Sequence, residues 1–289
     1  MTEAFELFSS LSTSSEPITD LRRQPIGVFD SGVGGLTVLR ELYRQLPQES
    51  LLYLADTARL PYGTKSPEEI IQFSREILTW MVQQQVKMVV FACNTSSAIA
   101  LDVVRSEFEV PVLGLILPAV KAALREGKRI GTIATIPTAQ SHAYRQAAAE
   151  MDPTARLWEV GCPEFVPIVE GDRIDAPETV EIARSYLNPL LDRQIDTLIY
   201  GCTHYPHLAS VIEPLLPPGV RCIDPAVHVV EAAAKELGIL NLRNSYPPLP
   251  TRFCVTGDRH AFEERAARWL GCQPQVERVV LPEFDRTPA

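Results

Sequence analysis

The amino-acid sequence predicts an α/β protein built from two similar parallel-sheet, three-layer domains related by pseudo-symmetry, with the active site in the crevice between them. Three observations predict it. From Pro25 onward, short β-rich runs alternate with segments of helical period, the pattern of parallel strands covered by helices on both faces. The chain also resembles itself: RIGTIAT (129–135) is similar to PIGVFDS (25–31), and DTLIYGCTHYP (196–206) to KMVVFACNTSS (87–97). The spacing agrees, with 93 − 30 = 63 positions from Asp30 to Cys93 and 202 − 134 = 68 from the matching Ala134 to Cys202. Finally, 289 residues accommodate two domains at about 150 residues each.

Taken in order, a first strand (26–29) runs into Asp30, Ser31 and the cluster Gly32, Gly34, Gly35, after which LTVLRELYRQL has helical spacing up to Pro47. The strand LLYLA ends at Asp56, and Pro61 and Gly63 oppose regular structure in the following loop, TARLPYGTKSPEE. Ser66, Pro67 and Glu69 form a capping box that opens a helix with the stripe Ile70, Phe73, Ile77, Met81. The strand VKMVVFA leads into Cys93, and NTSSAIALDVVRSEF reads as one helix entered through side chains able to cap it. A strand is expected over 110–116, then a helix from Leu117 and Pro118 to Glu126, stopped by Gly127. After the second unit, Asp224, Pro225 and Ala226 open another helix; a strand ends at 254–257 and a helix covers 259–270. These last elements are expected to rejoin the first domain, which then comprises 25–116 and 225–289, with 117–224 as the second. Residues 1–24 lack the basic start and apolar core of a secretory signal and read as a mobile tail on a cytoplasmic protein.

Composition removes several function classes. Hydrophobic residues at 46% and charged residues at 22% supply a core and oppose wholesale disorder. The most apolar segment, LGLILPAV, is broken by Gly114 and Pro118, short of the ~18 residues of a membrane span. A net charge of −9 with scattered Lys and Arg argues against a nucleic-acid partner. The six cysteines contain no C-x-x-C, which disfavours a zinc ribbon, a redox pair or a disulfide scaffold.

Several residues then compete for chemistry. DSGVGG, with Asp56 beyond it, partly mimics a dinucleotide fingerprint, but Thr37 stands where its last glycine belongs, so the turn either cradles a nucleotide or merely joins a strand to a helix. Cys93 and Cys202 each follow an apolar strand, near a helix N-terminus that favours the thiolate, whereas Cys162, Cys222, Cys254 and Cys272 read as core. Cys202, His204 and His207 are metal-capable types at an unfamiliar spacing, with Pro206 between the histidines. His207 reads as a loop residue contacting water. His204 either tunes Cys202 through its near-neutral pKa or is a satisfied structural histidine. Asp30 either caps the following helix or holds a substrate ammonium and assists a thiol. Glu170 ends an apolar segment and faces either the crevice or solvent.

Together, DSGVGGLTV (30–38), PYG (61–63), ACNTSSA (92–98), CPEFVPIVE (162–170) and GCTHYP (201–206) resemble the glutamate racemases of the aspartate/glutamate racemase superfamily. The likeness runs from about Pro25 to the C-terminus. It implies a cofactor-independent enzyme interconverting L- and D-glutamate and supplying D-glutamate for peptidoglycan, and it implies a homodimer. It further implies that Cys93 and Cys202 are the acid/base pair, assisted by Asp30, Glu170 and His204, with substrate contacts from Asp30, Ser31, Tyr62, Gly63, Asn94, Thr95, Thr203 and His204. Tyr200, where Leu is common, and Pro225, where Ser is less unusual, are small departures.

The implied chemistry suits two thiols. Racemisation needs a base on one face of the α-carbon and an acid on the other. The only lysines, Lys65, Lys87, Lys121, Lys128 and Lys235, lie outside the cysteine motifs, where a pyridoxal Schiff base would need one. Backbone amides with Ser31, Asn94, Thr95 and Thr203 are expected to bind the two carboxylates of glutamate despite the acidic chain. The competing readings are a racemase of aspartate or a hydantoin, and a non-catalytic amino-acid- or nucleotide-binding module.

Overall fold

β1 (Ile26–Asp30), β2 (Leu51–Ala55) and β3 (Met88–Phe91) are buried at every residue, as expected of strands covered on both faces. The computed structural model describes residues 20–284. The remaining strands are β4 (Val112–Leu113), β5 (Arg129–Ala134), β6 (Arg156–Gly161), β7 (Thr197–Gly201), β8 (Arg221–Ile223), β9 (Arg252–Val255) and β10 (Val276–Arg278). They form two sheets, ordered β10-β9-β2-β1-β3-β4 and β6-β5-β7-β8, in which every pairing is parallel.

The second order repeats the run β2-β1-β3-β4 of the first, four strands later in the chain. Registers match as well: Ile26 faces Met88 across β1 and β3, while Ile130 faces Thr197 across β5 and β7. These are the residues that the two internal sequence similarities align. In both sheets the chain steps to one side of the first strand and then the other, so each carries a switch point at its strand C-termini, where open α/β sheets bind ligands.

Each sheet is the middle of three layers. The helices Leu36–Gln45, Pro225–Ile239 and Arg259–Leu270 bury Leu39, Val230 and Phe262 with one face of the first sheet. Pro67–Gln83 buries Ile70, Ile77 and Met81 on the other. Ile116–Glu126 and Ala143–Met151 cover one face of the second sheet through Val120 and Tyr144, and Phe165–Glu170 with Pro177–Leu191 cover the opposite one through Phe165 and Leu187. The capping box at Ser66 forms: Ser66 Oγ accepts from Glu69 N at 3.2 Å, and Glu69 Oε2 from Ser66 N at 2.9 Å.

Four expectations need correction. The strand expected over 110–116 shrinks to β4, because Gly114 lies tightly against Leu101 and Ser97, and Leu115 N donates to Ser97 Oγ, turning the chain into a helix at Ile116. The helix after Cys93 is not continuous: it is Asn94–Ile99 and Leu101–Val104, then a 3-10 turn at Arg105–Glu107, and no side chain caps its start. The loop expected to be irregular holds two 3-10 turns, Thr57–Arg59 and Tyr62–Thr64, on either side of Pro61. Of the expected mobile tail, residues 1–19 lie outside the described residues. Residues 20–24, however, form a built turn: Asp20 caps the 3-10 helix Leu21–Arg23, and Lys87 Nζ donates to Arg22 O at 2.6 Å. Among the described residues no helix is long and apolar enough to cross a membrane.

Candidate active site

Because β1, β3 and β7 all end at the crevice between the sheets, the residues that follow them converge there. A cavity of about 890 Å³ is lined from the first sheet by Asp30, Ser31, Cys93, Asn94 and Thr95, and from the second by Glu170, Cys202, Thr203 and His204. Tyr62 and Gly63 line it from the loop after β2. Every site residue named from the sequence thus reaches one cavity, with both sulfurs in its wall.

The glycines of DSGVGG serve close approach. A β-carbon at Gly35 would lie 2.5 Å from Asp30 Cβ, and one at Gly34 would collide with Thr203 Oγ1 and the His204 ring. Gly34 is therefore where the second half of the chain rests on the first. Asp56, the residue matched to a ribose-binding carboxylate, is fully buried and already shared by the Tyr62 hydroxyl, Arg59 Nε at 2.7 Å and Thr256 Oγ1 at 2.7 Å. The dinucleotide reading ends there, and Tyr62, with its hydroxyl committed to Asp56, offers the cavity its ring.

The two thiols have different neighbours. Cys93 is 5% exposed, and burial pushes its pKa up to about 11, with the Asp30 charge adding to the rise. The helix start at Asn94 was expected to favour a thiolate; here desolvation and a neighbouring carboxylate outweigh it. Cys93 Sγ lies 3.9 Å from Ser31 Oγ. Asp30 does not act as the expected helix cap at the helix itself, which begins beyond Gly35; its Oδ2 accepts from Gly32 N at 2.9 Å within the turn. Burial raises its carboxyl pKa, opposed by amide hydrogen bonds from Gly35, Gly32 and Ser31.

Around Cys202 a chain of groups runs outward. His204 Nδ1 lies 3.8 Å from Cys202 Sγ, its Nε2 is 3.1 Å from Glu170 Oε1, and Arg265 Nη1 is 3.5 Å from Glu170 Oε2. Burial by itself would depress the imidazole pKa, but its bonds to Cys202 and Glu170 carry it up to about 10, not the near-neutral value expected. These two bonds favour the charged form of the ring. The hydrogen bond from His204 pulls Glu170 below the ordinary carboxylate value against its own burial. With both ring nitrogens of His204 engaged and His207 packed 4.0 Å from the Trp269 ring, the cysteine and the two histidines do not converge as metal ligands. His207, expected in a loop, lies half-buried in the 3-10 turn Tyr205–Leu208, where burial and the His204 charge lower its pKa to about 4. Among the described residues no three His, Cys, Asp or Glu side chains are grouped to hold a metal ion.

Some residues of the site escaped the sequence reading. Thr135 lines the cavity and lies 3.0 Å from Thr95, hydroxyl to hydroxyl; its position opposite Ser31 in the internal repeat was a usable signal. Cys162, read as core, is fully buried and also borders the cavity. Arg265 and Trp269 come from the last long helix, whose pattern carries no mark of the site. Among the described residues no lysine lines the cavity.

Residues 26–233 match the sequence model of the Asp/Glu/hydantoin racemase family. The chain is 62% identical over 258 residues to a glutamate racemase of Trichormus variabilis, covering 89% of this chain and 88% of that one. Among solved structures, it resembles the glutamate racemase isoform RacE1 from Bacillus anthracis, with a TM-score of 0.87 and 39% identity over 91% of this chain and all of the other. It also resembles a Francisella tularensis glutamate racemase in complex with D-glutamate, with a TM-score of 0.86 and 34% identity over 91% of this chain and all of that one.

Proposed function

The chain belongs to the Asp/Glu/hydantoin racemase family and is an amino-acid racemase, and from that premise we propose that it interconverts L- and D-glutamate by proton transfer between two cysteines. The observation that carries the reading is the presence of Cys93 and Cys202, one from each half of the chain, in the wall of one cavity.

In one direction the thiolate of one cysteine takes the α-proton. The electron pair left on carbon then accepts a proton from the thiol on the opposite face, and the sulfurs exchange roles for the other enantiomer. The charge distribution suits a start with Cys93 as the acid, since burial and Asp30 keep that thiol protonated. His204, held as a cation by Glu170, is the counter-charge for a Cys202 thiolate. When Cys93 is the base in turn, the substrate ammonium beside Asp30 supplies positive charge on that side. Oriented donors in a water-poor cavity, Ser31, Asn94, Thr95 and Thr203 among them, compensate the charge that develops on the substrate carboxylate. Local cations from His204 and Arg265 offset the acidic net charge of the chain at this spot.

The same reading assigns the D-glutamate to peptidoglycan synthesis, the chain to the cytoplasm and its assembly to a homodimer, each on the strength of the family likeness. Circular dichroism of L-glutamate and, separately, L-aspartate with the enzyme and no added cofactor tests the reaction. Loss of the dichroic signal for glutamate alone is expected. Preferential racemisation of aspartate, or binding of glutamate without turnover, overturns it.

A further inference from the structure

Tyr144 belongs to the helix Ala143–Met151 over the second sheet, yet its hydroxyl ends on the first half of the chain, 2.6 Å from Asn94 Oδ1. The tyrosine is fully buried and Asn94 is 3% exposed. Asn94 directly follows Cys93, so the contact lies one residue from a proposed catalytic sulfur. The phenolic hydrogen has no other acceptor among the described residues. Turning the amide over would leave that buried hydrogen unmatched, a costly arrangement. Oδ1 is thus committed to Tyr144, and Nδ2 is left as a buried donor with no partner among the described residues, on a side chain that lines the cavity. Burial also raises the phenol pKa well above its ordinary value, so the hydroxyl remains a donor at all working pH values.

We propose that Tyr144 is a positioning residue, fixing the Asn94 amide so that Nδ2 is presented to a carboxylate of the bound amino acid. The inference rests on the reading of glutamate as the substrate and deepens it: a donor of the first half is set by a residue of the second, so binding depends on the two halves being docked.

The test is steady-state racemisation of glutamate by the full chain and by Tyr144→Phe, which keeps the ring in its apolar surroundings. KM is expected to rise about tenfold, the size of one hydrogen bond, with kcat changed by less than about threefold. Asn94→Ala is expected to raise KM similarly, and adding Tyr144→Phe to it should cost nothing more, because the amide being oriented is gone. A merely structural tyrosine would instead add its own loss in the double variant. An unchanged KM in Tyr144→Phe, or additive losses, overturns the proposal. Should Tyr144→Phe fail to fold, Asn94→Asp decides: it keeps an acceptor for the hydroxyl but takes away the donor, so full activity in that variant overturns the proposal too. A wild-type chain that does not turn over glutamate refutes the substrate reading instead, which separates the two failures.

Discussion

Gly34 and His204 approach so closely that a β-carbon on the glycine would lie 2.5 Å from the imidazole Nδ1. A glycine of the first half thus sets where Thr203 and His204 of the second half can sit. Gly34→Ala is expected to push the His204 and Thr203 side chains back and to lower kcat by about 10- to 100-fold, with little change in far-ultraviolet circular dichroism. A variant with wild-type kcat would show that this contact does not position the site.

Each single replacement, Cys93→Ala and Cys202→Ala, is expected to lower racemisation by about 10³-fold or more while leaving the melting curve close to wild type, since each removes one of the two proposed proton carriers by a small truncation. In deuterated water, early product is expected to carry solvent deuterium and recovered substrate little. Equal early labelling of both enantiomers would point to a single base instead of one on each face.

The charge on His204 predicts a pH dependence. With its pKa up at about 10, the imidazolium is expected to persist through neutral pH, and kcat to fall as pH rises toward that value. Glu170→Gln withdraws a partner of the charged form, so this basic limb should move to lower pH. The sign for stability follows from linkage: the folded value is raised above the ordinary 6.5, so the stabilisation is full below about 6.5, declines above it and is gone beyond about 10. Glu170→Gln should therefore lower the melting temperature more at pH 6 than at pH 10. A basic limb that stays in place in Glu170→Gln would remove His204 from this role.

Far from the cavity, Lys87 and Glu49 form an ion pair at 2.5 Å with side chains only 1% and 3% exposed. Lys87 Nζ also donates to the carbonyls of Arg22 and Leu242, and Glu49 Oε1 accepts from Asn244 N, so the pair ties two distant segments, around Arg22 and at 242–244, to the base of the first sheet. Lys87→Met strands a buried carboxylate and is expected to cost about 3–5 kcal/mol in a denaturant titration. The double variant Lys87→Met, Glu49→Leu should recover much of that. A single variant within about 1 kcal/mol of wild type would contradict the pair's role as a tie.

How far the site was legible depends on the residue. Cys93, Cys202 and Asp30 could be read because each stands where an apolar strand stops, and a strand's end is a local feature of sequence. Thr135 was within reach through the internal repeat. Arg265 and Trp269 were not, since the helix Arg259–Leu270 shows only an ordinary amphipathic pattern, and nothing in it says which groups of a distant segment it will meet. The part played by Asp56 was hidden for a similar reason: its spacing from the glycine turn left a ribose contact open as one alternative, while its actual partners Arg59, Tyr62 and Thr256 include one 200 positions away.

By itself the sequence determined the alternation of strands and helices, the doubled unit and the two cysteines at strand ends, because these follow from periodicity and chain punctuation over a few residues. Only the tertiary structure decided that burial and Asp30 would lift the Cys93 thiol, that Cys202 and Glu170 would raise the pKa of His204, and that Tyr144 would hold Asn94 from across the crevice. The physical reason is that desolvation and through-space charge depend on which segments are brought together in three dimensions, and a pattern of neighbours along the chain carries no record of that.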